Sequence, residues 1–179
     1  MQPVRRVVTG HDGNGKAVFV SDAAVEPYMS ALGNGFLQLW GGDTTAHFPD
    51  DGSMPEHSNY FPPIGGFRFG LFSVPGTDHV LAPDLDLAAE FAAFDRIMPG
   101  LVKYMEPEDP GMHTTDTIDF EVVLSGEAVL ELDDGAEVVL RPGDTVVQNG
   151  TRHRWSNRQA GSAVLAVFTC GAQHDRFPT

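Results

Sequence analysis

Residues 111–157 read GMHTTDTIDFEVVLSGEAVLELDDGAEVVLRPGDTVVQNGTRHRWSN, and polar and apolar residues alternate through the first part of that stretch. In an extended strand successive side chains point to opposite faces. His113, Thr115, Thr117, Asp119 and Glu121 therefore share one face, and Phe120, Val122 and Leu124 share the other. A face of imidazole, hydroxyl and carboxylate groups backed by apolar residues lines a cavity or meets solvent, because burial without partners is costly. Turn signals then recur at Ser125-Gly126, at Asp133-Asp134-Gly135, at Arg141 to Asp144 and at Asn149-Gly150. Many short strands joined by tight turns imply a sandwich or a barrel.

The preceding hundred residues add strands, one long loop and one helix. Residues 3–9 and 17–20 flank the turn His11-Asp12-Gly13-Asn14-Gly15 and predict a hairpin with an exposed His11 at its tip. A short strand is expected over 36–40 and a second over 67–74. Between them, residues 43–63 have no period, and a loop of that length inside a domain is often functional. His47 and His57 lie in it without metal-ligand spacing and read as solvated. Arg68, on the second of these strands, could fork onto a substrate carboxylate or pair outward. Over 84–98 the period changes to helical, with Asp84 or Asp86 as cap and Pro99-Gly100 as stop. The apolar stripe of that helix reads as a packing face over an edge or mouth of a sheet, and residues 101–105 are expected to return to β.

Composition narrows the partners. A chain of 179 residues is long enough for one well-buried domain. A formal net charge of -14 works against nucleic acid and anionic membrane surfaces, so neither partner is expected. Arg5 and Arg6 are not followed by the apolar core of a secretory signal, and no run approaches a membrane span. With a single Cys170 and no CxxC pair, a cytoplasmic location is expected.

The 111–157 stretch resembles the cupin superfamily. The family's first motif runs Gly, His, His, Glu, Gly, and here His113 falls at the first His position and Thr115 at the second. Asp119 stands at the Glu position and Gly126 at the closing Gly. In the second motif Gly143, Gly150, His153 and Asn157 match, while Gln148 replaces Pro. The matched part is about a quarter of the chain. The resemblance implies an all-β jelly-roll barrel (double-stranded β-helix), commonly a homodimer, with any metal at the bottom of the barrel mouth. The domain is taken as residues 1–179, with N-terminal strands, loop and helix over 1–100 and the cupin core over 101–175. Usual cupins offer three histidines and a Glu to a divalent metal, and the matched positions leave His113, Asp119 and His153. Two imidazoles and a carboxylate suit Fe(II), and equally Zn, Mn or Ni. A metal-free pocket in which His113 or His153 acts as acid or base beside Asp119 is the alternative.

Arg68, Tyr104, Thr115, Glu121, Gln148 and Trp155 are the candidates for contacting substrate, with Phe67 and Phe69 as further aromatic walls and core packing as the simpler role of Trp155. Arg152 and Arg154 fall on the opposite parity and read as outer-surface charges. The expected function is a small-molecule enzyme acting on an aromatic or carbonyl-containing organic acid, as an oxygenase, decarboxylase or isomerase. The alternatives are a metal-free dehydratase or isomerase, and a binding protein that holds a small ligand without turnover.

Overall fold

In the computed structural model, which describes residues 1–175, strands far outweigh helix in the regular structure. In order these are β1 (Val4–His11), β2 (Ala17–Val25), β3 (Tyr28–Met29), β4 (Gly35–Gly42) and β5 (Phe67–Val74), followed by the helix α1 (Leu87–Ile97). Then come β6 (Thr117–Ser125), β7 (Ala128–Glu131), β8 (Glu137–Leu140), β9 (Thr145–Gln148), β10 (Arg154–Ser156) and β11 (Ala163–Gly171). A six-stranded sheet has the order β3-β4-β5-β11-β6-β9, a three-stranded sheet the order β10-β7-β8, and β1-β2 stand apart as a ribbon. Every pair within these sheets is antiparallel. The alternation and the turns imply a sandwich or a barrel, and this arrangement is consistent with the jelly roll that the resemblance implies. Among the described residues no helix is long and apolar enough to cross a membrane.

The two larger sheets are held by an apolar plug of Val74, Val123, Ala128, Leu130, Leu140, Ala163 and Leu165, with Phe72, Val146 and Trp155 packed against it. Val123 and Leu165 are direct cross-strand partners, so the plug is laid across the sheet as a row. The corner between β6 and β7 needs Gly126. Its φ is +75°, and a Cβ there would stand 2.7 Å from the Cα of Ala163.

β4 and β5 belong to the same sheet as β11, so the barrel draws strands from both sides of residue 100 rather than from 101–175 alone. Helix α1 starts where the sequence places it, with the Asp86 side chain accepting from the backbone N–H of Ala89 at 3.0 Å. It buries Phe94 and Met98 against Tyr28, Phe36, Tyr60 and Phe61, at one end of the six-stranded sheet. Phe94 meets Phe36 and Tyr28 edge-on. The return to β expected over 101–105 is confined to Met105, which bridges His113, while Val102–Tyr104 is a single 3-10 turn. A short apolar run satisfies either conformation locally, and here Leu101 is drawn into the cluster under the helix.

Candidate functional site

The strand register sorts the inward side chains into rows. One row runs Gln148, Asp119, Thr169 and Arg68 across β9, β6, β11 and β5. The next runs Val146, Glu121, Val167 and Gly70 on the same strands, and beyond it lies the plug. The polar face of β6 is thus the inner face of the barrel, and Thr117, Asp119, Glu121 and Val123 are all buried while Phe120 and Leu124 face outward. Asp119 and Glu121 are each only 5% exposed.

Their surroundings differ because the rows differ. Asp119 lies between Gln148 and Thr169, and hydrogen bonds from the Thr117 and Thr169 hydroxyls partly offset the burial that raises its carboxyl to about 6. Glu121 lies between two valines, and burial together with the charge of Asp119 pushes it up to about 8. One oxygen of each, Asp119 Oδ1 and Glu121 Oε2, has no hydrogen-bond partner among the described residues, nor does Gln148 Nε2. The Gln148 carbonyl is engaged, accepting from the Thr151 hydroxyl.

The imidazoles form a second group. His113 and His153 exchange backbone hydrogen bonds across an antiparallel bridge, at 3.0 and 2.9 Å, and their ring centroids are 4.1 Å apart. Nδ1 of His113 donates to the Gly111 carbonyl at 3.0 Å and Nδ1 of His153 to the Thr151 carbonyl at 2.9 Å. With the proton fixed on Nδ1, each Nε2 keeps a free lone pair. Burial lowers the pKa of both rings, and His113 lowers His153 further, to about 4. Both are therefore neutral imidazoles near neutral pH.

The expected metal set does not assemble. Among the described residues no three His, Cys, Asp or Glu side chains are grouped so as to hold an ion. Glu106 acts on His113 and His113 on His153, while Asp119 acts on Glu121 and Tyr60. The donors thus separate into an imidazole pair and a carboxyl pair, and as arranged they do not fit the facial triad that the motif positions imply.

Of the other candidates, Thr115 is buried and shares a 2.7 Å hydrogen bond with Thr117. Trp155 stacks obliquely on Phe72 and presents an edge to His153, so it belongs to the rim of the plug. Phe69 faces outward, and Phe67 flanks a hollow on the outer side of the sheet. Tyr104 lines a separate cavity of about 170 Å³ with Asn59, Phe61 and Lys103.

Arg68 does point inward, but its donors are taken by protein. Nη2 donates to Asp43 at 2.6 Å and to the Asn59 carbonyl at 2.8 Å, Nη1 to Gly42 at 2.9 Å and Nε to Tyr60 at 3.1 Å. Instead of forking onto a substrate, it ties the long loop to the end of β4. The loop in turn delivers Tyr60, a half-buried residue whose phenol is raised in pKa by burial and by Asp119 and Glu121. No periodicity marks Tyr60 in the sequence; only the length of its loop signalled a role. Arg152 and Arg154, read as plain surface charges, anchor the segment that leads into His113 through Glu106 and Asp109, and Arg154 also pairs with Glu131 on β7.

Residues 100–169 match the family model described as "Cupin domain". A phomopsin biosynthesis cluster protein of Diaporthe leptostromiformis is 53% identical over 57 residues, 32% of this chain and 30% of that protein. A cupin-domain-containing oxidoreductase of Aspergillus ruber is 28% identical over 154 residues, covering 86% of this chain and 64% of the relative. The matches thus span from under a third to just under two thirds of these curated relatives. Among solved structures, the cupin domain of Schizosaccharomyces pombe Cnp3 is similar at a TM-score of 0.47 and 10% identity, covering 96% of this chain and 88% of that one.

Proposed function

Starting from a chain that carries a cupin domain over residues 100–169, we propose a small-molecule enzyme that moves a proton within a carbonyl-containing organic acid, as an isomerase or dehydratase does. The observation that carries this reading is the pair of buried, unpartnered carboxyl oxygens, Asp119 Oδ1 and Glu121 Oε2, on one inner face. Leaving a buried polar atom without a partner costs about 1–3 kcal/mol, and a bound substrate bearing hydroxyl or carbonyl groups supplies those partners. Between pH about 6 and about 8 the pair holds one proton, with Asp119 as the base and Glu121 as the acid. Asp119 takes the proton from the carbon beside the carbonyl while Glu121 gives its own to the carbonyl oxygen. Return of the two protons at different positions completes an isomerisation. Gln148 Nε2, unpartnered and directly across from Asp119, is placed to donate to the oxygen where charge develops. The relatives named for biosynthesis clusters support small-molecule chemistry, and the single Cys170 supports a reducing compartment such as the cytoplasm.

A second reading, a metal-dependent oxidoreductase or lyase, is favoured by the two Nδ1–carbonyl bonds that leave both Nε2 atoms free, an orientation common to metal-ligating histidines. One experiment separates the two. The purified chain is assayed for deuterium uptake from D2O into a panel of aromatic and aliphatic keto acids, before and after chelation, with elemental analysis of each sample. Exchange that survives chelation and disappears in both Asp119→Asn and Glu121→Gln supports proton transfer. Stoichiometric metal whose removal abolishes turnover overturns it in favour of the second reading.

A further inference from the structure

The cavity of about 170 Å³ beside Tyr104 plays no part in the chemistry of the carboxyl pair; it is lined by Asn59, Phe61, Pro62, Pro63, Lys103 and Tyr104. Its walls come from two segments, the end of the long loop and the turn that follows α1, and both are fixed in place. The Tyr60 N–H donates to the Pro99 carbonyl at 2.8 Å, and Arg68 holds the Asn59 and Tyr60 carbonyls at 2.8 and 3.1 Å. The Gly66 N–H closes the far end of the loop on the Pro63 carbonyl at 2.8 Å. Phe61 meets Tyr104 edge to face with ring centroids 5.0 Å apart, so the aromatic walls brace each other. Gly100 keeps the space clear: its φ is +80°, and a Cβ there would stand 3.1 Å from Asn59 Oδ1 and 3.7 Å from Lys103 Cε. A hollow held in this way receives a ligand without first having to be ordered.

The cation in this cavity is the second observation. Acidic residues outnumber basic ones by 25 to 11, and the arginines around the barrel are committed, Arg68 to Asp43, Arg152 to Glu106 and Arg154 to Glu131. Lys103 forms no ion pair among the described residues. Two acids near it in the chain are used elsewhere: Asp95 Oδ1 accepts from the Gly100 N–H at 3.0 Å, and Glu106 pairs with Arg152. The Lys103 ammonium lies instead 4.8 Å from the centroid of the Tyr104 ring, a contact that orients it without neutralising it. An ammonium so placed keeps its N–H donors for an incoming anion.

We infer that this cavity is a binding site for a small aromatic carboxylate, with its ring against Phe61 and Tyr104 and its carboxylate on Lys103 and the Asn59 amide. Size sets the class of ligand. A closed apolar cavity of about 150 Å³ holds one benzene, so a single ring with its carboxylate matches the space here. Charge and shape then select together. A bare anion satisfies Lys103 but leaves the aromatic walls in contact with water, and a neutral ring covers the walls but leaves the ammonium without its partner. The site also adjoins both buried pairs. Asn59 and Phe61 flank Tyr60, the loop residue that reaches the carboxyls, and Met105, next to Tyr104, bridges His113.

The test is titration of the intact chain with benzoate, followed through backbone amide shifts in NMR, beside the neutral isostere benzamide and inorganic phosphate. Binding is read without turnover, so the outcome is separate from that of the proton-transfer reading. Benzoate is expected to saturate with a Kd of about a millimolar or tighter and to move the amides of Gly100, Lys103 and Tyr104. Benzamide and phosphate are each expected to bind roughly tenfold or more weakly. Lys103 is exposed, so Lys103→Met leaves the fold intact; it keeps an apolar stem over Tyr104 and should reduce benzoate to the level of benzamide. Absence of saturation at about ten times the expected Kd overturns the proposal. So does benzoate binding that is indifferent to Lys103→Met, or phosphate binding as tight as that of benzoate. Shifts centred on Gln148 and Thr169 would place the anion inside the barrel and overturn it as well.

Discussion

Replacing Glu121 by Gln should remove a pH dependence that the fold builds into this chain. In the folded protein the Glu121 carboxyl keeps its proton until about pH 8, against a usual value of 4.5. Between those values the folded state binds more protons than the unfolded state, so stability falls as pH rises. Three other buried groups titrate lower in the range. Asp119 is ionised above about 6 in the fold, while His113 and His153, both lowered by burial, still lose protons from the unfolded state around its usual value of 6.5. These contributions are common to the wild type and Glu121→Gln, so the difference between the two from pH 6.5 to 8 isolates Glu121. Over one and a half pH units the wild type is expected to lose about 2 kcal/mol relative to the variant, at up to about 1.4 kcal/mol per unit. For a chain of this length that is a fall in Tm of roughly 4–8 °C. Urea unfolding followed by the fluorescence of Trp40 and Trp155 at the two pH values reads it directly. Glu121→Gln keeps the shape and polarity of the neutral acid and should lose no stability across the window, overtaking the wild type at the upper end. If wild type and variant decline in parallel, or the variant is the weaker one at pH 8, then Glu121 is not the buried neutral acid described above and its proposed role as proton donor fails with it.

Arg68→Lys should destabilise the chain by about 2–4 kcal/mol, because a lysine cannot reproduce a fork that serves Asp43 and several carbonyls from a largely buried position. Limited proteolysis should then cut first within residues 43–63, and an unchanged cleavage pattern would show that the loop is held by other contacts. Leu165→Ala, in the fully buried plug, should cost about 2–5 kcal/mol in urea unfolding. Little loss there would mean that the space between the sheets collapses to fill the gap.

The face of β6 was legible in advance because its alternation is strict: His113 to Glu121 share a parity, and the structure buries Thr115, Thr117, Asp119 and Glu121 on the inside. Parity carries no information about neighbours on other strands, however. That Asp119 faces Gln148 while Glu121 faces Val146 follows from the register with β9, and that difference separates the two carboxyls chemically. For the same reason the motif positions name a three-ligand set without fixing how its members meet, since spacing along a chain does not fix distance across a barrel, and among the described residues no group of three is assembled. Tyr60 was hidden for another reason. It reaches the carboxyls on an aperiodic loop held by Arg68, and such a segment takes its course from tertiary contacts alone. The helix, by contrast, was readable to its cap, because Asp86 and Pro99 act within a few residues of themselves.

Along β6 the inner side chains pass from Thr117, Asp119 and Glu121 to Val123 within one strand. Chemistry and cohesion are thus assigned to opposite ends of the same barrel, and few side chains have to serve both. Substitutions among the polar positions can alter which molecules are accepted while the plug of Val123, Leu130 and Leu165 keeps the sheets together. A lineage of such chains is free to diversify in substrate at one end under almost constant selection at the other, and close sequence agreement between two of its members in the plug would say little about whether they act on the same compound.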